Sequence, residues 1–177
     1  MAGMSSMPAV TIPKGADYTE ADVHFMQGMI AHHGQAIYMS RLAKAHGANP
    51  HVLELSAKID QSQVAEIKLM QGWLRANDQV TPDTSYWHHM FMPGMLTADQ
   101  IHDLESAKGA AFDHAYLTYM IQHHQGALKM VDDLFATPMA GQDIDVSVFA
   151  NDVVVVQTAE INAMKRMLAE TASTNAN

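Results

Sequence analysis

Histidine pairs flanked by methionines occur twice in this chain and are its clearest candidates for chemistry. Residues 29–39 read MIAHHGQAIYM, and residues 120–130 read MIQHHQGALKM. Imidazole nitrogens and thioether sulfurs bind metal ions, and thioethers suit soft ions such as Cu(I). Residues three and four apart share a helix face, so each histidine pair lies one turn from its first methionine. The pattern predicts metal ligands at Met29, His32, His33, Met39, Met120, His123, His124 and Met130.

Packing is the alternative explanation for this pattern. A methionine stripe alone is more often core than ligand set, because methionine fills irregular interiors well. Histidine pairs on the same face are harder to explain in this way, since a buried imidazole needs polar partners. Having the pair twice, each time beside methionines, favours a metal site.

A second repeated element lies downstream of each histidine pair. Glutamine, glutamate and methionine recur at the same spacing in residues 63–70 and 157–164. We expect Met70 and Met164 to add thioether ligands. Glu66 and Glu160 are expected to orient histidines by accepting a ring N–H, although either could also bind a metal directly.

A third cluster lies between the repeats, where residues 88–95 read HHMFMPGM. We expect this segment to be an exposed loop around the Pro-Gly bend. An exposed loop has no core to fill, which weakens the packing explanation for its methionines. Alternatively, residues 90–92 cover one end of the bundle. The predicted ligands are His88, His89, Met90, Met92 and Met95.

The donor set favours copper over other metals. A di-iron bundle needs Glu-x-x-His pairs, and the chain contains none. Zinc prefers histidine with carboxylate or cysteine. The chain has no cysteine, and the methionines would go unused in a zinc site. We therefore expect copper, as Cu(I), with zinc and iron as weaker alternatives.

The elements that carry these residues read as helices. Apolar positions at helical spacing, with capping signals such as Thr19 and a breaker at Gly47, place the helix boundaries. The valine run at 153–156 is β-prone, but polar and methionine residues continue beyond it at helical spacing. The predicted helices span residues 19–46, 50–76, 97–108, 111–136 and 143–172.

The two halves are an internal repeat. Residues 22–39 and 113–130 share seven identities in 18 positions. Each half is predicted to be a helical hairpin, and two hairpins bury each other's apolar stripes in a ferritin-like four-helix bundle. The expected organisation is a flexible tail at 1–17 and one domain at 18–173. That domain comprises repeat one at 19–76, a connector at 77–110 and repeat two at 111–172.

Composition limits the function classes. Hydrophobic residues form 48% of the chain, which is typical of a compact domain, and the net charge is −9 at pH 7. An acidic surface repels nucleic acid and attracts cations. No apolar run reaches the length of a membrane span. The N-terminal residues show no signal-peptide pattern, although the chain could equally be a trimmed form of an exported protein.

The two histidine motifs, the segment QVAEIKLMQGWL and the connector MPGML followed by FDHAYLTYMIQHH resemble the domain-of-unknown-function 305 family. The similarity covers about residues 19–170. It implies a ferritin-like fold of duplicated hairpins, export to the periplasm or outside the cell, and a link to copper binding and tolerance. It also implies copper-ligand roles for Met29, His32, His33, Met39 and their counterparts.

These observations predict a copper-binding protein that buffers or carries Cu(I), with a copper-trafficking protein as a further partner. One alternative is a ferritin-like oxidoreductase that uses the histidine pairs with Glu66 and Glu160. The other is a protein-interaction module, in which methionines form an adaptable surface and histidines sense pH.

Overall fold

A computed structural model of the chain describes residues 7–174, with side chains as far as residue 170. Within residues 7–174 the chain forms five α-helices and no β-strand. Helix α1 packs mainly against α2, α4 packs mainly against α5, and α1 also contacts α4. The predicted all-α, ferritin-like bundle of two hairpins is confirmed. The helices are α1 Glu20–Leu42, α2 Pro50–Ala76, α3 Ala98–Ser106, α4 Gly109–Ala136 and α5 Ile144–Thr174.

The predicted tail is only partly described. Residues 1–6 lie outside the described part of the chain, while residues 7–17 form no helix. Val10 and Ala16 pack against the core. The flexibility of the tail and the domain boundaries stay predictions. Over the described residues, no helix is both long and apolar enough to cross a membrane.

Capping residues fix the start and end of α1. The Thr19 hydroxyl accepts the Asp22 N–H at 3.3 Å, and the Asp22 carboxylate accepts the Thr19 N–H at 2.7 Å. The helix ends at Leu42, before the predicted end near His46, because residues 43–47 wind into turns. Gly47 takes the predicted left-handed conformation, with φ of +69°, which costs glycine little.

The β-prone valine run lies inside α5, as predicted. Val153, Gln157, Ile161 and Met164 are buried along one stripe of that helix. Burial of this helical stripe outweighs the weak strand preference of the intervening valines, because propensity differences are small beside tertiary packing.

Two equivalent carboxylates join the hairpins. Asp22 of α1 accepts the backbone N–H of Gly141, in the α4–α5 turn, at 2.7 Å. Asp113 of α4 accepts the backbone N–H of Asn49, in the α1–α2 turn, at 3.1 Å. Each repeat therefore holds the turn of the other through a buried carboxylate, and the two contacts are related by an approximate twofold.

Asp22→Ala should lower the free energy of unfolding by about 3 kcal/mol, because it removes a buried carboxylate and leaves its donors unpaired. Asp132→Ala, at an exposed position of α4, is the matched control and should change stability by less than about 0.5 kcal/mol. Urea denaturation of both variants measures this. Equal stability in the two variants would contradict the proposed role of Asp22 in joining the hairpins.

The connector between the hairpins crosses α1 and α4 at two glycines. A short 3-10 helix at Thr84–His88 packs on α1. A β-carbon at Gly34 would collide with the Thr84 carbonyl, and one at Gly126 would collide with the Pro93 carbonyl. The Gln35 side chain also bonds both backbone groups of Leu96, at 2.7 and 3.1 Å. The connector is thereby fixed to the bundle next to the histidine pairs.

Candidate metal centre

All four histidines of the repeated motif are fully buried, each with 0% exposure. His32 and His123, which occupy equivalent positions in the two repeats, are in contact, with ring centroids 3.7 Å apart and ring planes tilted by 37°. The contact joins equivalent residues of the two hairpins, so it lies close to the approximate twofold axis between them. The bundle therefore brings together histidines that are 91 positions apart in the chain.

The His32–His123 pair is neutral at physiological pH. Burial, with a further contribution from neighbouring imidazoles, lowers the pKa of both His32 and His123 well below the usual range. His32 Nε2 donates to the Pro93 carbonyl at 3.1 Å. This hydrogen bond raises the pKa of His32, but by less than burial lowers it. Neither ring nitrogen of His123 has a well-formed hydrogen bond, and the nearby backbone of His32 opposes the lowering of the His123 pKa weakly.

The other two histidines are each held by a carboxylate from the neighbouring helix. His33 Nε2 lies 2.6 Å from Glu66 Oε2, and His124 Nε2 lies 2.6 Å from Glu160 Oε2. In the neutral ring this bond places the hydrogen on Nε2 and leaves a lone pair on Nδ1. Both Nδ1 atoms are buried and lack a partner. A carboxylate on one nitrogen and a free lone pair on the other is the arrangement of a metal-ligating histidine.

The buried methionines are divided between the two hydrophobic clusters of the core, each of which draws on both repeats. Met29, Met70 and Met130 belong to one buried cluster, and Met39, Met120 and Met164 belong to the other. Exchanging each residue for its repeat equivalent converts one cluster into the other. At helical spacing Met29 lies one turn from His33, and Met120 lies one turn from His124. Each cluster thus combines thioethers with one carboxylate-bound imidazole nearby.

Buried glutamines were not among the predicted site residues. Gln63 and Gln157 are each 2% exposed, yet Gln63 Oε1 and both amide atoms of Gln157 lack a partner. Unpaired buried polar atoms are rare in folded proteins and point to an occupant such as water or an ion. Their recurrence one turn before the glutamates was the sequence signal that could have identified them.

The connector residues are arranged differently from the expected exposed loop. His88 and His89 are exposed, but Met90 and Met95 are 6% and 2% exposed, so the expectation of an exposed methionine loop is wrong for both. They pack because the connector lies directly on α1 and α4. Met92 is half-buried. All five predicted connector residues line a surface cleft of about 1010 Å³.

Methionine sulfur is prominent among the candidate donors of this interior. Among the described residues, no group of three or more His, Asp or Glu side chains could hold a metal ion, and the chain has no cysteine. Beside the free imidazole nitrogens, the candidate donors are the thioethers and the amide oxygens of Gln63 and Gln157. Such a mixed set suits a soft ion.

The family model described as "Domain of unknown function (DUF305)" matches residues 22–168. A DUF305 protein from Streptomyces coelicolor, described as presumed secreted, is 29% identical, with a TM-score of 0.73. That match covers 88% of this chain and 95% of the other. A DUF305 fragment from Deinococcus radiodurans is 26% identical with a TM-score of 0.75, covering 86% and 98%.

The chain is also similar to CopM. Its Cu(I)-bound structure is 26% identical, with a TM-score of 0.66, and the match covers 84% of this chain and 96% of CopM. CopM structures with Cu(II), with Ag and without metal match as well. Among curated proteins, none matches the chain.

The stability of the metal-free protein should fall as the pH drops below about 6.5. Because the pKa values of His32 and His123 are lower in the folded chain, the unfolded chain binds more protons at acid pH. The contribution of these neutral histidines to stability is fully present above the pKa of histidine in the unfolded chain. It is lost as the pH falls below that pKa, by at most about 1.4 kcal/mol per pH unit for each histidine. Chemical denaturation of His123→Gln between about pH 5 and 7 should give a shallower slope than wild type.

His114→Gln is the control, at an exposed histidine of the same helix, and should keep the wild-type slope. If His123→Gln also keeps the wild-type slope, the buried pair does not govern the acid sensitivity.

Proposed function

The chain belongs to the DUF305 family, and on that premise we propose that it binds copper as Cu(I) through the buried methionine and histidine side chains. The observation that carries the proposal is the pair of unpartnered Nδ1 atoms on His33 and His124. Each belongs to a ring whose other nitrogen is held by a glutamate at 2.6 Å. A copper ion there would satisfy a buried lone pair that otherwise lacks a partner.

The proposed ligands of one site are His33, Met29, Met70 and Met130, with Glu66 bound to the far side of the imidazole. The second site has the equivalent set His124, Met120, Met164 and Met39, with Glu160. His32 and His123 lie between the sites and add imidazole nitrogens that stay unprotonated because their pKa values are lowered. Neutral ligands are the form that binds metal.

Donor chemistry supports Cu(I) as the cargo. Thioethers are soft and uncharged, and imidazole accepts copper readily. A thioether also needs no deprotonation and does not form disulfides, so this set holds copper where thiols would oxidise. Similarity to CopM, which has been determined with Cu(I), Cu(II) and Ag bound, supports the same assignment.

The proposed role is to buffer or carry copper outside the cytoplasm and to exchange it with a copper-trafficking protein. Similarity to a DUF305 protein presumed to be secreted supports this location. The net charge of −9 favours attraction of cations to the protein. Oxygen consumption linked to turnover of bound metal would instead support a ferritin-like oxidoreductase.

Met29→Leu with Met120→Leu should weaken Cu(I) binding by about tenfold or more, or about 1.4 kcal/mol. Leucine keeps the volume and the apolar character of methionine but lacks sulfur, so each substitution should lower the stability of the metal-free protein by less than about 1.5 kcal/mol. Competition against a chromophoric Cu(I) chelator measures affinity, and thermal denaturation measures stability.

Met26→Leu is the matched control for this pair. Met26 is buried in the same cluster as Met29, and the equivalent position in repeat two is Leu117. The control should bind Cu(I) as wild type does. Wild-type affinity in the double variant would show that the repeated methionines are packing residues, and the proposed function would fall.

Glu66→Gln with Glu160→Gln should lower Cu(I) affinity by about 10- to 100-fold, because the glutamates orient the histidines and raise their basicity. Glu54→Gln, at an exposed residue of α2, serves as the control for loss of negative charge. The same chelator competition applies. Equal affinities in the two variants would place the carboxylates outside the copper site.

A further inference from the structure

The cleft beside the connector carries a second set of soft donors. It has a volume of about 1010 Å³ and opens between the connector, α1 and α3. One of its lining residues, His102, is a donor that the sequence patterns did not single out. Thioethers and imidazoles dominate its donors, including Met7, Met90, Met92, Met95, His88 and His102.

Met92 joins this cleft to the buried methionines. It lines the cleft, and its thioether rests where α1 has a glycine. A β-carbon at Gly28 would lie 3.3 Å from Met92 Sδ and 2.6 Å from Met92 Cε. The same point is 3.5 Å from Cε of Met130, which belongs to the buried cluster with Met29 and Met70. Because Gly28 has no side chain, the thioether of Met92 from the cleft and that of Met130 from the core can both approach this position.

The equivalent position of repeat two is filled differently. The residue equivalent to Gly28 in repeat two is Tyr119, whose hydroxyl donates to Asp103 at 3.3 Å. A glycine inside a helix is unfavourable relative to alanine. The duplicated fold therefore does not require a glycine at this position, and its presence coincides with the place where Met92 approaches Met130.

The backbone around Met92 is anchored, so its side chain is the part that can move. The Met92 N–H donates to Met95 Sδ at 3.2 Å, and the carbonyl of the next residue, Pro93, accepts from His32 at 3.1 Å. Methionine has three rotatable side-chain bonds. Rotamer changes of such a side chain are fast compared with backbone rearrangement.

We propose that the cleft is where a soft monovalent cation, Cu(I) or Ag(I), enters and leaves the protein, and that the Met92 thioether passes the ion over Gly28 to Met130. This inference rests on the proposed function, because it presupposes that the Met29–Met70–Met130 cluster binds the ion. In this proposal the cleft exchanges the ion with the solution, and the buried cluster stores it. The ion keeps its charge and oxidation state throughout, since one thioether ligand replaces another.

Gly28→Ala tests the passage without removing any donor. The added β-carbon would lie 2.6 Å from Met92 Cε, so the flexible end of the thioether must move aside. Gly72→Ala is the matched control, because its β-carbon would meet nothing within 4 Å and it makes the same helix-favouring change in α2. Ag(I) and Cu(I), supplied and removed by a competing chelator in stopped-flow mixing, are the probes.

Gly28→Ala should slow both loading and release by about tenfold while leaving the equilibrium affinity within about twofold of wild type. Gly72→Ala should match wild type in all three quantities. Met92→Leu, which keeps volume but removes the sulfur, should slow both rates in the same way and provides the test if Gly28→Ala folds poorly.

Wild-type rates in Gly28→Ala and Met92→Leu would overturn the passage. Faster release with weaker equilibrium binding would overturn it too, because Met92 would then be a storage ligand. Failure of the proposed function gives a different result, namely wild-type equilibrium affinity in the Met29→Leu and Met120→Leu variant. The two ideas can therefore fail separately.

Discussion

The contact between His32 and His123 is the constraint around which the rest of this bundle is built. Two fully buried imidazoles lie with ring centroids 3.7 Å apart, and three of their four ring nitrogens have no well-formed hydrogen bond. An unpaired buried polar atom costs about 1–3 kcal/mol, so the surrounding structure must hold the rings in place. Cross-repeat carboxylates at Asp22 and Asp113 fix the hairpins to each other, and the connector covers His32 with a backbone carbonyl.

The interior contains both polar side chains and soft thioether sulfurs. Imidazoles and glutamine amides with unpartnered buried atoms lie in the same interior as the thioethers, and the carboxylates of Glu66 and Glu160 bond two of the imidazoles. An apolar core of the same volume would be more stable, because a partly satisfied polar network is costly. The arrangement makes physical sense if an ion completes it, since a ligand that binds only the folded state stabilises it by an amount that grows with the logarithm of its free concentration.

The connector makes two similar halves unequal. Each hairpin supplies the same donors, but Pro93 contacts His32 and not His123, and Met92 lies over Gly28 whereas Tyr119 occupies the equivalent position in α4. Duplication gives two equivalent sets of donors, and the intervening segment contacts the two sets differently. Glycines at 34 and 126 permit this because the connector backbone lies where side chains would otherwise be.

Sequence by itself determined the helices, the two hairpins and the faces on which the donors lie. Local periodicity and capping signals are properties of neighbouring residues, so α2 and α5 could be predicted even across the valine run. Tertiary structure alone decided that His32 meets His123, that Met130 joins Met29 rather than Met120, and that Met90 and Met95 are buried. These contacts depend on how distant helices cross and where the connector lies. Periodicity specifies which face of a helix is buried, but it carries no information about which residue of another helix that face meets.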